Sequence, residues 1–128
     1  MAYYYSKTTS VPFETALVQV TNALKAEGFG VLTTIDVKET LKGKIGVDFR
    51  KYKILGACSP SHAHKALLTE DKVGVLLPCN VVVQEWEDGK VEIVAVSPKA
   101  SMMAIDNPLL LPIAEEIEQK MKRLIDTL

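Results

Sequence analysis

Apolar positions recur along the chain at two different spacings, and the change from one to the other predicts an ordered series of strands and helices. After Pro12, apolar side chains return every three or four residues, as on one face of a helix, and the same spacing runs from Ile113 to Leu128. Short segments rich in β-branched and aromatic residues separate the helical ones, which is typical of strands. The predicted strands cover residues 3–8, 29–35, 53–58, 73–77, 81–86 and 91–96.

The predicted helices begin and end at residues suited to those positions. Asp36, followed three residues later by Glu39, resembles a capping box, and Gly46 closes the short helix that starts there. Ser59 is suited to the N-cap of the next helix, with Pro60 in its first position. These end signals agree with the apolar spacing, so the helices are predicted from two independent features.

A hairpin between the last two strands decides the fold class. The Asp88-Gly89 pair predicts a two-residue turn there. Consecutive antiparallel strands exclude an all-parallel sheet, so the predicted order β-α-β-α-β-α-β-β-α, with one strand interrupted at residues 78–80, indicates an α+β domain. We expect a two-layer sandwich in which helices pack on one face of a mostly antiparallel sheet.

The second face of this sheet is expected to lack a cover. Val81 and Val83 point to one face of their strand, and Val82 and Trp86 point to the other, so both faces are apolar. In the second strand, the more apolar set is expected to share one face, and comprises Phe29, Val31, Thr33 and Ile35. Because helices on one side leave the other side exposed, we predict that the protein covers it by forming a homodimer.

Composition narrows the class of protein. The 128 residues are 48% hydrophobic and 24% charged, which is ordinary for one globular domain covering residues 1–128. Fifteen basic residues oppose sixteen acidic ones, and the net charge is −1. A protein that binds nucleic acid is expected to carry a basic excess or stripe. We therefore predict no nucleic-acid partner.

Hydropathy and cysteine content bear on location. The N-terminal sequence MAYYYSKTTSVPFE lacks the apolar segment of a signal peptide, and the longest apolar stretch, residues 73–83, is shorter than the roughly 20 residues of a membrane span. Two cysteines in a chain of this size, without a secretion signal, indicate reduced thiols. We predict a cytoplasmic protein that does not associate with membranes.

Three blocks of the chain resemble a known family. They are GFGVLTTIDVKETLKGKIG (residues 28–46), YKILGACSPSHAHKAL (52–67) and LLPCNVVVQE (76–85). In this order and at these intervals they are similar to the uncharacterised family called domain of unknown function 302, over nearly the whole chain. The resemblance implies a two-layer fold of the TATA-binding-protein-like class and a tendency to dimerise, and it implies no particular activity. Where the family usually has Asn, this chain has Ser59.

Two cysteines are the main candidates for chemistry. Cys58 ends a predicted strand just before a helix N-terminus, where backbone amides and the helix dipole stabilise a thiolate. Cys79 lies beside Pro78, in the interruption of a strand expected to neighbour the one that ends at Cys58. A free cysteine is also among the most buried residue types and often packs as a small hydrophobe. We expect the two thiols to face one pocket.

Two further side chains are candidates for the same pocket. His62 is one turn into the helix and can approach Cys58, and Asn80 follows Cys79 directly. His64 points about 200° away from His62 on a helix, so the two histidines cannot share one ion. Cys58, Cys79 and His62 are thus the candidate ligands for a soft metal such as Cu(I) or Zn(II), to which Met102 and Met103 could add soft ligands for Cu(I), although methionine in an apolar stretch is more often a core residue.

These residues leave three classes of function open. The first is a small-molecule or soft-metal binding domain with ligand-binding residues Cys58, Cys79, His62 and Asn80. The second is a thiol-dependent enzyme with Cys58 as nucleophile and His62 as base. The third is a dimerisation or partner-binding module whose cysteines are structural. No cofactor or pathway follows from the sequence.

Overall fold

A computed structural model describes residues 2–128, which form a five-stranded sheet whose neighbouring strands are all antiparallel. The strands are β1 (Tyr4–Thr9), β2 (Gly30–Asp36), β3 (Tyr52–Cys58), β4 (Cys79–Glu85) and β5 (Val91–Val96). Their order across the sheet is β1-β5-β4-β3-β2, so β1 and β2 are its edges. The predicted α+β class and the mostly antiparallel sheet are confirmed.

Five α-helices accompany the sheet. They are α1 (Phe13–Ala26), α2 (Val37–Ile45), α3 (Pro60–Thr69), α4 (Pro98–Ser101) and α5 (Leu111–Thr127). Short 3₁₀ turns cover Val73–Leu76, Met102–Ala104 and Pro108–Leu110. The sequence predicted the long helices, but it did not predict α4 or the 3₁₀ turns, because these elements are too short to show a hydrophobic period.

The main core lies between one face of the sheet and helices α1 and α5. Val81, Val83 and Ile93 present that face, and they meet Leu24 of α1 and Met121 of α5. All five are fully or almost fully buried. Burying a valine or leucine side chain contributes roughly 1.5–3 kcal/mol, so this layer supplies most of the hydrophobic stabilisation.

A smaller apolar cluster holds α3 against α5, and this contact shapes the candidate site. The cluster consists of Ala66, Val73, Met102, Leu110 and Ala114. Val73 was expected in a strand at residues 73–77, which is wrong, because the segment forms a 3₁₀ turn whose first residue is completely buried in this cluster. A short apolar run fits a strand or a buried turn equally well, and tertiary packing decides between them.

The strand interruption predicted at residues 78–80 is wrong, because the residues just before it form a 3₁₀ turn and not a strand, and β4 begins at Cys79. Cys79 and Asn80 already belong to β4 and pair with β3. Only Pro78 stands outside, immediately before the strand, where its missing N–H removes no ladder hydrogen bond.

The hairpin between β4 and β5 is confirmed, but its loop is longer than predicted. The Trp86 N–H donates to the Lys90 carbonyl at 2.8 Å, and the Gly89 N–H donates to the Trp86 carbonyl at 2.9 Å. Gly89 has a φ of 84°. A turn followed by a left-handed glycine is the common three-residue hairpin loop, so the loop contains Glu87 as well as the Asp-Gly pair.

A β-bulge divides the apolar set of β2 between the two faces of the sheet. Val31 pairs with Ala57, whereas Thr33 pairs with Gly56, so one extra residue lies between them. Val31 therefore packs against the core, whereas Thr33 and Ile35 lie on the opposite face with their partners Gly56 and Ile54. The single-face expectation for this strand is wrong, because strict alternation cannot anticipate a bulge.

The face opposite the helices carries a continuous apolar row. Ile35, Ile54, Val82 and Val94 are direct register partners across β2, β3, β4 and β5. Their side chains are exposed or only half-buried among the residues that the structure describes. We call this surface the open face.

Candidate functional site

A cavity of about 340 Å³ lies where β3 ends, α3 begins and β4 starts. Its walls are apolar apart from Ser59, His62 and the two thiols. Phe29, Ala63 and Met102 are among the apolar residues that line it. The α3–α5 contact closes one side, so the smaller hydrophobic cluster also forms part of the cavity wall.

Cys58 and Cys79 both line this cavity, as the sequence led us to expect. Ala57, the residue before Cys58, is the direct partner of Cys79 in the β3–β4 ladder. Cys58 is half-buried, Cys79 is buried, and both are free thiols. Burial, and then the neighbouring Cys58, raises the pKa of the Cys79 thiol to about 11. Cys79 is therefore protonated at neutral pH and is a poor nucleophile.

His62 also lines the cavity, but its hydrogen-bond partners are not the cysteines. Its Nδ1 lies 2.7 Å from the Ser59 Oγ, and its Nε2 lies 2.6 Å from the Glu116 Oε2. An ionised carboxylate only accepts hydrogen bonds, so Nε2 donates to Glu116, and in the neutral ring Nδ1 accepts from the Ser59 hydroxyl. The base expected to serve Cys58 is thus already paired with a serine.

The predicted metal set receives no support from the geometry. Among residues 2–128, the His, Cys, Asp and Glu side chains form no group of three or more that could hold a metal ion. Both ring nitrogens of His62 form hydrogen bonds, one to Ser59 and one to Glu116, so neither is free to join the two cysteines as a metal ligand.

Asn80 lies apart from the cavity. It pairs with Gly56 in the sheet, is exposed, and lines a separate shallow depression together with Cys79. Residues that alternate along a strand point to opposite faces, so the neighbour of Cys79 is directed away from the cavity.

Sequence reasoning missed two members of the site, Ser59 and Glu116. Ser59 was assigned only as the N-cap of α3, and it does occupy that position, but its hydroxyl is engaged by the His62 ring. Its spacing of three residues from His62 was the available signal. Glu116 belongs to α5, 54 residues from His62 in the chain, and only the packing of α3 on α5 brings the two together.

A second polar cluster lies outside the cavity and joins secondary-structure elements. Glu118 of α5 is buried and accepts hydrogen bonds from the Tyr5 hydroxyl, from the Ser97 hydroxyl at 2.9 Å and from the Lys99 N–H at 3.1 Å. The hydrogen bond to Glu118 and the burial of the phenol raise the pKa of Tyr5 to about 12. All these partners belong to the protein itself, so the cluster is structural.

None of the helices formed between residues 2 and 128 has both the length and the hydropathy that crossing a bilayer requires.

Two known proteins similar to this chain are described as uncharacterised. An uncharacterised protein of Aquifex aeolicus (strain VF5) is 30% identical over 90 residues, which are 70% of this chain and 56% of that protein. The chain thus spans little more than half the length of that relative. The crystal structure of an uncharacterised conserved DUF302 protein from Bacillus stearothermophilus matches with a TM-score of 0.90 at 31% identity, and the match covers 98% of each chain. The model of the domain of unknown function DUF302 matches residues 5–128, so the chain belongs to the DUF302 family.

Proposed function

We propose that this protein binds a small, largely apolar molecule in the cavity between β3, α3 and β4. The observation that carries the proposal is the cavity itself, about 340 Å³ in volume and walled by apolar side chains with few polar groups. Ligand sites in proteins have volumes of roughly 300–1,000 Å³ and the same mixture of apolar wall and sparse polar anchors.

The side chains that line the cavity indicate the charge and polarity of the ligand. Apart from Ser59, His62, Cys58 and Cys79, the lining side chains are apolar. A charged ligand would lose its hydration there without gaining an opposite charge, which is costly. The ligand is therefore uncharged in the part that enters, and one polar group on it can reach Ser59 or His62.

Two rival functions gain less support from the same geometry. A soft-metal site would need a third ligand, and both nitrogens of His62 are occupied. A thiol enzyme would need His62 beside Cys58, and His62 bonds to Ser59 instead. The small-molecule part of the first sequence-based hypothesis is the part that we retain.

Methionine methyl groups offer a test with n-octanol as the probe. Met102 lines the cavity, whereas Met103 is 71% exposed outside it and Met121 is completely buried in the main core. In protein labelled with ¹³C at the methionine methyls, octanol should shift the Met102 resonance with saturation and leave that of Met121 unchanged. An unchanged Met102 resonance at octanol saturation would refute the proposal.

A pair of variants on α3 separates cavity binding from general adsorption. Ala63→Leu adds bulk to the cavity wall, whereas His64→Leu adds an apolar side chain at an exposed position of the same helix. The Met102 shift should disappear in Ala63→Leu and persist in His64→Leu. Equal responses of both variants would show that octanol binds elsewhere.

We also propose that two copies of the chain associate through the open face. The supporting observation is the continuous row of Ile35, Ile54, Val82 and Val94. Five strands about 4.8 Å apart, with about three outward side chains each, give a face of roughly 500 Å² in projection. Side-chain relief brings its accessible area close to the roughly 800 Å² that each partner contributes to a stable interface.

Sedimentation equilibrium tests this association. The wild type should sediment as twice the chain mass of 14.1 kDa at micromolar concentration. Val82→Lys places a charge in the middle of the row and should give a monomer, whereas Val18→Lys, at a 60% exposed position on α1, should leave the dimer intact. A monomeric wild type would exclude the dimer.

We propose a cytoplasmic location as well. What supports it is that both cysteines are free, a state that persists in reducing compartments. Labelling of the intact cell with a membrane-impermeant thiol reagent should leave Cys58 unmodified.

A further inference from the structure

Hydrogen bonds join Ser59, His62 and Glu116 in a row that we call the relay, and ligand binding alone does not account for it. We propose that it makes Ser59 a nucleophile which hydrolyses small, uncharged esters held in the cavity. This inference rests on the proposed cavity binding, and it adds a reaction to it.

The geometry joins the three groups in the order that general-base catalysis requires. The Ser59 hydroxyl donates to the His62 Nδ1 at 2.7 Å, and the His62 Nε2–H donates to the Glu116 carboxylate at 2.6 Å. Nucleophile and base are thus within proton-transfer distance, and a third group orients the base. The serine chains of known hydrolases use the same roles on unrelated folds.

Ser59 and His62 are positioned to reach a substrate bound in the cavity, and Glu116 is not. Ser59 and His62 line the cavity, and the His62 side chain is only 13% exposed. The Glu116 side chain is 61% exposed and stands behind the ring, away from the cavity wall. Ser59 and His62 would touch the reacting atoms, and Glu116 is a positioning residue.

The start of α3 supplies stabilisation for a developing oxyanion. The first N–H groups of a helix have no partner within the helix, and Pro60 contributes none. The Ser59 hydroxyl is directed to His62 and not to these amides. The N–H groups of Ser61 and His62 therefore lie in the same turn as the nucleophile and can donate to the carbonyl oxygen of an ester as it becomes negative.

Each bond and proton of the reaction has a place. The Ser59 oxygen attacks the ester carbonyl carbon and its proton passes to the His62 Nδ1, while Glu116 stabilises the imidazolium. The bond between that carbon and the alkoxy oxygen breaks, and the alcohol leaves with the proton from Nδ1. Water then attacks the acyl-Ser59 and gives a proton to Nδ1. The carboxylic acid leaves and Ser59 regains its proton, so one ester and one water yield one acid and one alcohol.

The cavity defines the substrate class. Its lining carries no side chain of Lys, Arg, Asp or Glu, so an ester with an ionised group beside the carbonyl would be disfavoured. A volume of about 340 Å³ admits a short acyl chain with a small alcohol. We infer short-chain neutral esters, for which p-nitrophenyl butyrate is a suitable probe.

Hydrolysis of p-nitrophenyl butyrate by matched variants tests the proposal. Ser59→Asn removes the hydroxyl and keeps a good N-cap residue, so it should retain the melting temperature and lose at least ~100-fold in kcat/KM. His62→Gln should lose a similar factor, whereas His64→Gln, at an exposed position of the same helix, should match the wild type. Glu116→Gln should lower kcat about fivefold with KM unchanged, as expected for an exposed positioning group.

Covalent labelling identifies the nucleophile directly. A small alkyl fluorophosphonate should modify the wild type once, and peptide mass spectrometry should place the label on Ser59. A label on Cys58, the absence of any label, or equal hydrolysis by the wild type and Ser59→Asn would each overturn the relay.

The outcomes also separate the relay from the cavity. Octanol binding at Met102 without phosphonylation would overturn the relay alone, and the binding function would stand. Phosphonylation of Ser59 without octanol binding would support the relay and reject the apolar ligand site.

Discussion

At the scale of single residues, the geometry of a site depends on hydrogen bonds that a sequence does not display. Ser59 was placed correctly at the start of a helix, and yet its hydroxyl serves the His62 ring. Asp36 shows the opposite case, because its Oδ1 accepts from the Glu39 N–H at 3.0 Å, as the capping box predicted. Local rules predict a cap, but they cannot foresee a competing partner only one turn away.

Gly56 offers a residue-scale prediction. A Cβ at this position would lie 2.2 Å from the Thr33 Oγ1 and 2.7 Å from the Pro78 Cγ. Gly56→Ala should therefore lower the free energy of unfolding by about 1–3 kcal/mol, as overpacking does. Gly43→Ala, in helix α2 with open space around it, should raise it by about 0.5–1 kcal/mol. Urea unfolding of both variants measures these changes in the free energy of unfolding. An unchanged midpoint for Gly56→Ala would contradict the predicted clash.

At the scale of elements, the long periodic segments were predictable and the short ones were not. Helices α1 and α5 and the β4–β5 hairpin follow from spacing and turn residues. The 3₁₀ turn at Val73–Leu76 and the bulge in β2 did not, because their cause is burial against elements distant in sequence. The same limit applies to the site. Cys58 and Cys79 could be placed near one another from strand adjacency, whereas Glu116 required the packing of α5 on α3.

The buried Glu118 provides the prediction at this scale, since it ties edge strand β1 to α5 through Tyr5. Tyr5→Phe should lower the free energy of unfolding by about 1–2 kcal/mol at neutral pH. The folded protein holds the phenol proton to about pH 12, against a usual pKa of 10.0. The unfolded chain therefore ionises first as pH rises, and the stability due to this group, complete below pH 10, is lost between pH 10 and about pH 12.

Urea unfolding across that pH window tests the hydrogen bond between Tyr5 and Glu118. The wild type should lose more stability between pH 10 and about pH 12 than Tyr5→Phe does. Tyr4→Phe, on the opposite face of the same strand, should behave as the wild type. If the stability of Tyr5→Phe and that of the wild type change in parallel with pH, the hydrogen bond to Glu118 does not raise the pKa of Tyr5.

At the scale of the whole molecule, helices on one face of the sheet produce two different surfaces. The cavity arises at one end of the helical layer, where α3 packs on α5, and the open face lies on the other side of the sheet. A ligand in the cavity and a second copy on the open face therefore do not compete for the same residues. Sequence alternation predicted that Val82 lies on the face opposite Val81 and Val83, and its register partners Ile54 and Val94 extend that face across β3 and β5.

Charge and aromatic packing together lead to the last prediction, that nucleic acid does not bind. The net charge of −1 leaves little counterion release to drive association. Arg50 and nearby aromatic rings resemble the elements of a single-strand site. However, the Arg50 guanidinium lies 4.4 Å from the centre of the Phe49 ring and 4.3 Å from that of Trp86, so it already occupies the ring faces on which bases would stack. Fluorescence anisotropy of a labelled single-stranded oligonucleotide should therefore stay flat at physiological ionic strength. A rise that salt suppresses in the wild type, and that Arg50→Ala abolishes, would contradict this, because it would show that the guanidinium can leave the rings to bind phosphate.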